Sequence, residues 1–373
     1  MKTFTIDRKD YDAFLTGLAI YGTGGGGDPE WGRLVLENDF ARGRICELIS
    51  PEEVPDDAFI CSGGIMGSVK SLGDMSYKDI VDGWEDDFVL LKAFRMMEQI
   101  KGRKLDYIIP FEVGGINTPV IMSLAARMGI PMIDGDGVGR SAPETNMTAF
   151  VGNGVSVYPM PLVDHYGNIV IVMDSDEPTY ADEVGRFVVT KGGALGGNSH
   201  YPMTGAQLKK ACVPNTVSSS VEVGKVVLTA NDGEQVEAFR KHIDGKLMIT
   251  GDVTDVTGED IGGFYLTNVL IRGTGEFDGH NARIIVKNES MVLWVDGEIK
   301  IIFPDNTYML YTKTGHGIMS IDLAPGVEIS VVGAPCSNVL SAGLQNDIGR
   351  KSLGGARYGH PDIEFRKFEE LNR

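Results

Sequence analysis

The part of the chain that most constrains its fold lies between residues 107 and 136. Two apolar runs, residues 107–111 and 130–133, have the length of buried strands. The segment between them has the pattern of a helix, with Thr118 as its N-cap and Gly129 just past its end. A strand, a helix and a second strand in this order form a β-α-β unit, so we predict two parallel strands in one sheet.

Acidic residues stand directly after both predicted strands. Glu112 follows the first strand, and Asp134 and Asp136 follow the second. Parallel strands end at the same edge of a sheet, and open α/β sheets bind ligands in a crevice outside that edge. With Glu144 close behind, we predict four catalytic carboxylates that share one cleft and divide the roles of acid and base. The alternative for the two aspartates is local, because Asp-Gly is a turn dipeptide.

A glycine-rich segment, residues 21–29, joins two predicted helices. A dinucleotide-binding fingerprint needs a strand before its glycines, and a Walker loop needs Gly-Lys followed by Ser or Thr. Neither requirement is met in this segment. We interpret it as a pocket wall of bare backbone N–H groups for a small polar ligand. The alternative is a tight turn that needs positive φ angles.

The glycine loop and the segment after Glu112 together predict the substrate-binding residues. Asn117 either bonds the ligand or caps the helix that starts beside it, and Arg140 either orients a substrate carboxylate or pairs with one of the acids. The predicted substrate-binding residues are Thr23, Gly24, Gly25, Gly26, Asp28, Gly114, Gly115, Asn117 and Arg140.

Two further segments have alternative interpretations. Cys61 ends a predicted strand, where it is either a buried thiol or a nucleophile. Residues 191–200 are glycine-rich and are predicted to be a loop, in which Lys191 or His200 either contacts ligand or stays in solvent.

The pattern of the chain changes along its length, which predicts two domains. Residues 1–165 are predicted to form an α/β domain with a mixed, largely parallel sheet, which carries the glycine loop and the acids. Residues 166–373 are predicted to form the C-terminal domain, with a helical crossover at 178–243 and a β-rich barrel or sandwich at 246–333. The tail, 338–373, is expected to pack back on the first domain. The Asp296-Gly297 pair predicts a hairpin.

The formal net charge of −18 argues against nucleic acid or an anionic membrane as a partner, because both bind proteins through Lys and Arg. The sequence has no membrane-spanning apolar run and no signal-like N-terminus, so we expect a cytoplasmic protein. We also expect a homo-oligomer with a small-molecule substrate. The cysteines form no C-x-x-C pattern, and no cofactor is expected. The alternative is Mg²⁺ or Mn²⁺ held by Glu112, Asp134 and Asp136.

Several of these motifs together resemble the family named for S-methyl-thiohydantoin desulfurase, which is associated with proteins of the hydantoinase/oxoprolinase type. The matching segments are 22–29, 112–117, 131–140, Pro143-Glu144, Lys287-Asn-Glu289, Asp296-Gly297 and Pro304-Asp305. The resemblance implies an N-terminal α/β domain and a C-terminal β-rich domain. It also implies hydrolytic loss of a thiol from a five-membered thiohydantoin ring.

These features together predict a hydrolase that acts on a hydantoin- or thiohydantoin-like ring, with clustered carboxylates that activate water. The alternative is a non-catalytic, small-molecule-binding subunit that works with a hydantoinase/oxoprolinase-type partner. A nucleotide-dependent enzyme is a third hypothesis, and it rests on the glycine loop alone.

Overall fold

The computed structural model describes residues 2–67, 76–261 and 264–373. In chain order the strands are β1 (Thr3–Phe4), β2 (Leu48–Ile49), β3 (Phe59–Gly67), β4 (Tyr107–Pro110), β5 (Met132–Ile133), β6 (Gly135–Asp136), β7 (Met160–Asp164), β8 (Ile169–Val172), β9 (Leu195–Thr204), β10 (Val213–Pro214), β11 (Lys246–Ile261), β12 (Phe264–Gly273), β13 (Asn281–Lys287), β14 (Glu289–Val295), β15 (Glu298–Ile302), β16 (Asn306–Tyr311) and β17 (Glu328–Ala334).

Helices surround the first sheet and connect it to the second. They are α1 (Tyr11–Tyr21), α2 (Pro29–Ala41), α3 (Tyr77–Gly83), α4 (Val89–Lys101), α5 (Asn117–Met128), α6 (Ala149–Gly152), α7 (Tyr180–Lys191), α8 (Gly205–Ala211), α9 (Thr216–Thr229), α10 (Gln235–His242), α11 (Asn338–Gly343), α12 (Asp347–Leu353) and α13 (Phe368–Leu371). Among the described residues, no helix is both long enough and apolar enough to cross a membrane.

The first sheet is mixed, with the order β1-β2-β5-β4-β3-β9-β7-β8. Its central strands β2, β5, β4 and β3 run parallel, and the strands on either side of them are antiparallel to their neighbours. Buried apolar clusters cover both faces of this sheet. Cys61 and Ile108 lie in one cluster, and Ile60 and Ile109 lie in the other. Strands buried on both faces are apolar throughout, as the sequence of β4 is.

The predicted β-α-β unit is confirmed. Strands β4 and β5 are parallel neighbours, with Ile108 opposite Met132, and α5 connects them. The helix starts at Asn117, ahead of the predicted N-cap Thr118, and Gly129 closes it with a φ of 68°. Glu112 and Asp134 therefore both stand just past the carboxyl ends of parallel strands.

The segment predicted to be a glycine-rich loop is instead a strand of the first sheet. Strand β9 lies between β3 and β7, and a Cβ added at Gly197 would sit 2.6 Å from the Cα of Leu90. Glycine at this position permits close packing of the strand on α4, and it does not mark a turn. The prediction of a loop was therefore wrong for residues 195–200, whereas residues 192–194 form a turn after α7. The first sheet also continues beyond residue 165, where the first domain was predicted to end.

The second sheet is wholly antiparallel and forms a half-barrel, with the order β15-β14-β13-β12-β11-β17-β16. The predicted hairpin is confirmed, because Asp296 and Gly297 occupy its turn with φ values of 51° and 81°. The turn between β13 and β14 is tighter. Lys287 pairs with Glu289, and Asn288 lies between them at a φ of 58°.

Several contacts join the two sheets. Helices α9 and α10 share an apolar cluster with Ile20 of α1 and with Tyr308 of the second sheet. The tail helices α11 and α12 pack on α6. Arg140 is buried, and its guanidinium donates hydrogen bonds to the carbonyl oxygens of Asp305 (2.7 Å) and Ser290 (2.9 Å) in the second sheet region. The domains therefore form one packed body.

Helices α1 and α9 approach each other closely because each has a glycine at the contact. A Cβ added at Gly17 would overlap the carbonyl oxygen of Ser220, and one added at Gly224 would overlap that of Ala13. This contact holds the crossover helices against the first domain.

We expect Gly17→Ala to lower the free energy of unfolding by about 1–3 kcal/mol, because the added methyl group forces the two helices apart. The midpoint of urea unfolding, followed by circular dichroism, measures the loss. Gly83→Ala is the matched control, since a Cβ there meets nothing within 4 Å, and its midpoint should stay the same or rise slightly. Equal losses in both variants would contradict the close-contact explanation.

Candidate active site

A cavity opens where the carboxyl edge of the first sheet meets the second sheet, and we call it the inner cavity. Its volume is about 70 Å³, which is room for about five water molecules. Strand β3 extends past the end of β4 and supplies part of the wall. The polar side chains that line the cavity are, above all, Glu112, Asn117, Asn198, His200, Asn288 and Glu289.

Glu112 is buried at the end of β4, and both of its carboxylate oxygens accept hydrogen bonds. Oε1 accepts from the Asn117 side-chain amide at 2.8 Å, and Oε2 accepts from the backbone N–H of Ala142. Burial, followed by the charge of Glu289, raises the pKa of Glu112 well above its usual range. The two N–H donors act in the opposite direction, because they favour the ionised carboxylate.

Glu289 reaches the same cavity from the second sheet. It follows the tight β13–β14 turn, and its side chain lies against Gly25 of the glycine loop. Oε2 is buried and has no hydrogen-bond partner. Burial raises the pKa of Glu289 to about 8, and the charge of Arg140 limits the rise.

Glu112 and Glu289 thus form a buried pair of carboxyl groups. Among the ion pairs of the described residues, none brings a cation to either group. Two like charges in one buried site do not both ionise, so near neutral pH the pair holds a proton. The N–H donors on both oxygens of Glu112 favour its ionised form, whereas Oε2 of Glu289 has no hydrogen-bond partner. The pair can therefore supply one carboxylate and one carboxylic acid.

His200 of β9 lines the same cavity and is fully buried. Neither of its ring nitrogens has a hydrogen-bond partner, and its neighbours are the rings of Phe111 and Tyr201. Burial lowers the pKa of the imidazole to about 3, so the ring is neutral. A neutral imidazole has one donor and one acceptor, and here both are unsatisfied.

Two asparagines fix the backbone of β3 at the cavity wall. The side-chain oxygen of Asn117 accepts from Ile65 N–H at 2.9 Å, and that of Asn198 accepts from Gly64 N–H at 3.2 Å. The Asn117 amide bridges this strand to Glu112. It is therefore both a wall residue and the group that orients the carboxylate, and its position at the first turn of α5 makes this possible.

Asp182 and Arg186 of α7 complete the wall with an ion pair. Arg186 Nε lies 3.0 Å from Asp182 Oδ2, and Asp182 also accepts from the backbone N–H of Thr145 at 2.9 Å. The guanidinium lies 3.7 Å from the centre of the Phe264 ring of the second sheet. This positive charge helps to hold down the pKa of Glu289, which burial raises.

Of the four predicted acids, Glu112 alone is among the described residues that line the inner cavity. Glu144 is buried, and it pairs with Lys287 of β13 and Arg357 of the tail. Lys287 Nζ also donates to the carbonyl oxygen of Arg357 at 2.7 Å. This arrangement neutralises Glu144 and ties the tail to both domains.

Asp134 and Asp136 each bond protein groups outside the inner cavity. Asp134 accepts from the N–H and hydroxyl of Ser218 at 2.9 and 2.6 Å, and so caps the N-terminus of α9. Asp136 accepts from the N–H groups of Val138 and Gly139 at 2.9–3.1 Å, and burial raises its pKa to about 7. The contacts of Asp136 correspond to the local alternative that the Asp-Gly pattern offered, whereas Asp134 bonds a helix from a distant part of the chain.

The glycine loop is placed between the two domains, and its residues have different surroundings. Gly25 lines the inner cavity, whereas Gly24 packs on Asn288. The hydroxyl of Thr23 donates to the carbonyl oxygen of Thr307 at 3.3 Å, and Asp28 caps α2. The remaining predicted glycines, Gly26, Gly114 and Gly115, are in close backbone contact with one another or with Gly27.

Arg140 and Cys61 are not among the residues that line the inner cavity. Arg140 bonds backbone carbonyl oxygens between the domains, as described above. Burial raises the pKa of the Cys61 thiol, which lies in the apolar core. Within the described ranges, no three His, Cys, Asp or Glu side chains are grouped to hold a metal ion.

Glu289 was not among the predicted site residues, and ligand contact by His200 was only one of two alternatives, although the sequence contains a signal for each. Four polar residues, Lys287-Asn-Glu-Ser290, interrupt an apolar stretch at 284–293. Charged residues in such a place need a partner or a ligand. His200 stands in a run of small residues that the structure shows to be a buried strand.

The chain matches models of known protein domains over nearly its whole length. Residues 9–174 match the domain described as S-Me-THD-like, N-terminal, and residues 175–368 match the one described as S-Me-THD-like, C-terminal. None of the curated proteins compared with the chain matches it. A crystal structure of a protein from Chromobacterium violaceum has a TM-score of 0.76 and 21% identity, over 98% of this chain and 99% of that chain. At this identity the likeness supports the fold alone.

We expect Glu144→Gln to lower the free energy of unfolding by about 3–5 kcal/mol, because it leaves Lys287 and Arg357 without their buried counter-charge. Denaturant midpoints measure the loss. Asp82→Asn breaks the exposed pair with Lys78 and should cost less than about 1 kcal/mol. A variant at Glu144 that keeps its stability and loses turnover would instead show a catalytic role.

We also expect stability to depend on pH through Glu289. Its pKa rises from the ordinary 4.5 to about 8 on folding, so the folded protein holds a proton that the unfolded chain loses. The stabilisation of the folded protein by this proton is complete below pH 4.5 and disappears as pH rises to about 8. As pH rises across this window, the free energy of unfolding of Glu289→Gln should increase relative to that of the parent by up to about 1.4 kcal/mol per pH unit.

Urea midpoints of the parent and of Glu289→Gln, measured at several pH values between the two limits, test this pH dependence. Glu52→Gln removes an exposed carboxyl, and its curve should run parallel to that of the parent. Parallel curves for Glu289→Gln as well would show that Glu289 is ionised in the folded protein.

Proposed function

Because the chain belongs to the S-Me-THD-like family, as its motifs predicted, we propose that it hydrolyses an S-methyl-thiohydantoin-like ring. The family places its function in thiohydantoin chemistry. One observation carries the proposal further: a carboxyl pair, Glu112 and Glu289, and a neutral, unpartnered His200 line one buried cavity. Room for about five waters also suits a single five-membered ring.

The proposed reaction replaces sulfur by oxygen at the ring carbon that carries the S-methyl group. Water adds to this carbon, so a C–O bond forms while the ionised Glu112 takes the proton of the water. The electron pair of the C=N bond moves to the ring nitrogen, which takes the proton of Glu289. Both proton transfers are general acid–base steps.

In the second half of the reaction the C–S bond breaks as the C=O bond forms. Departing methanethiolate takes the proton from Glu112, and the hydroxyl proton returns to Glu289. The products are methanethiol and the hydantoin, and both carboxyl groups are back in their starting states. No redox change or further reactant is required.

Other wall residues would orient the ring. His200 offers one N–H donor and one nitrogen acceptor, which match the carbonyl oxygen and the N–H group of such a ring. Asn117 holds Glu112 at 2.8 Å and so fixes the direction in which the base points. Gly25 allows the carboxyl group of Glu289 to lie directly against the glycine loop, because a Cβ at this position would overlap Oε1 of that group.

We expect Glu112→Gln and Glu289→Gln each to lower kcat for methanethiol release by about 10²–10⁴-fold, the usual contribution of a positioned acid or base. A thiol reagent detects the product, and separation of the hydantoin confirms ring chemistry. Asp134→Asn is the control, because Asp134 caps α9 and does not line the cavity. It should reduce stability more than turnover.

Two other outcomes would contradict hydrolysis. If the parent protein releases no methanethiol, and if an S-methyl-thiohydantoin raises its melting temperature without turnover, the chain binds the ring without hydrolysing it. If there is neither release nor binding, the proposal is wrong.

A further inference from the structure

A second and larger cavity of about 310 Å³ adjoins the inner cavity, and we call it the outer cavity. The two cavities share Gly25, Ile65, Gly67 and Asn117 as common walls. A substituent on a ring held beside Glu112 would pass Asn117 to reach the outer cavity.

The inner wall of the outer cavity is aromatic and apolar. The rings of Trp31 and Tyr77 are stacked at 4.8 Å with an angle of 4° between their planes, and Ile116 and Met319 lie nearby in the wall. Ile321 of the second domain adds a large apolar side chain that is 63% exposed. Such a surface favours contact with an alkyl chain.

Two carboxylates, Asp28 and Asp322, lie at the same cavity and come from different domains. Neither forms an ion pair with a described Lys or Arg, and no described Lys or Arg lines the outer cavity. Burial, followed by the charge of Asp28, raises the pKa of Asp322, so the two groups are close enough to repel each other. Their charges also act on Tyr77, whose pKa is raised first by burial.

We propose that the outer cavity binds the ring substituent of the substrate, and that this substituent is an alkyl chain that ends in an ammonium or guanidinium group. The stem would lie on the half-buried ring of Tyr77, whose other face is stacked on the buried Trp31, and this ring also attracts a cation through its π face. The terminal charge would lie between Asp28 and Asp322. This inference rests on the proposed function, which places the ring in the inner cavity.

Two S-methyl-thiohydantoins test the inference, one with an aminobutyl chain and one with a pentyl chain on the same ring carbon. The chains have equal length and differ in the terminal charge. We expect calorimetry at low salt to show about five- to tenfold tighter binding of the aminobutyl compound, which is the strength of two partly exposed ion pairs. At about 0.5 M salt the preference should shrink, because the charges are screened.

The double variant Asp28→Ser, Asp322→Asn should bind both compounds equally. Serine keeps the N-cap of α2 while it removes the charge, so the helix is preserved. Asp278→Asn is the matched control: it removes one exposed negative charge from a residue that lines neither cavity, and it should keep the preference. If the double variant does not fold, the single variant Asp322→Asn should lose about half of the preference in binding free energy.

Each outcome separates the two proposals. Equal binding of both compounds by the parent overturns the inference, whereas methanethiol release from either compound still supports the proposed function. Preference for the aminobutyl compound without any methanethiol release supports the cation site and overturns the hydrolase. If neither compound binds, both proposals are wrong.

Discussion

The site depends on a close approach of backbone between the two domains, and glycine makes this approach possible. A Cβ at Gly24 would sit 2.8 Å from the carbonyl oxygen of Asn288, and one at Gly114 would sit 2.7 Å from that of Gly26. The glycine loop is thus held between the turn that carries Glu289 and the segment that follows Glu112. With side chains at these positions the two segments would move apart, and the carboxyl groups would no longer face one cavity.

The buried acids of this protein have two kinds of surroundings, with and without a cation in contact. Glu144 has two cations at contact distance, so its charge is balanced where it lies. Glu112 and Glu289 share their site with two N–H donors and an uncharged imidazole, so burial raises their pKa values. Groups with raised pKa values in a cleft are typical of sites that move protons, while balanced pairs are typical of structural contacts.

Local sequence patterns predicted the parallel strands, Glu112 at their carboxyl edge and the antiparallel C-terminal sheet. They did not reveal which partner each acid would meet. The bonds of Asp134 depend on the N-terminus of α9, which arrives from a distant part of the chain. Glu289 enters the cavity through a sheet register that no local pattern specifies. His200 was assigned to a loop because glycine marks turns and close packing alike.

The hydrogen bonds of Arg140 have a mechanical consequence. To move the second sheet away from the first, the guanidinium of Arg140 would have to give up its hydrogen bonds to the carbonyl oxygens of Asp305 and Ser290. The apolar cluster around Tyr308 would open at the same time. A hinge motion that separates the two sheets is therefore unfavourable. Small molecules have to enter and leave the inner cavity without separation of the two sheets. The sheets should also unfold cooperatively, as a single unit.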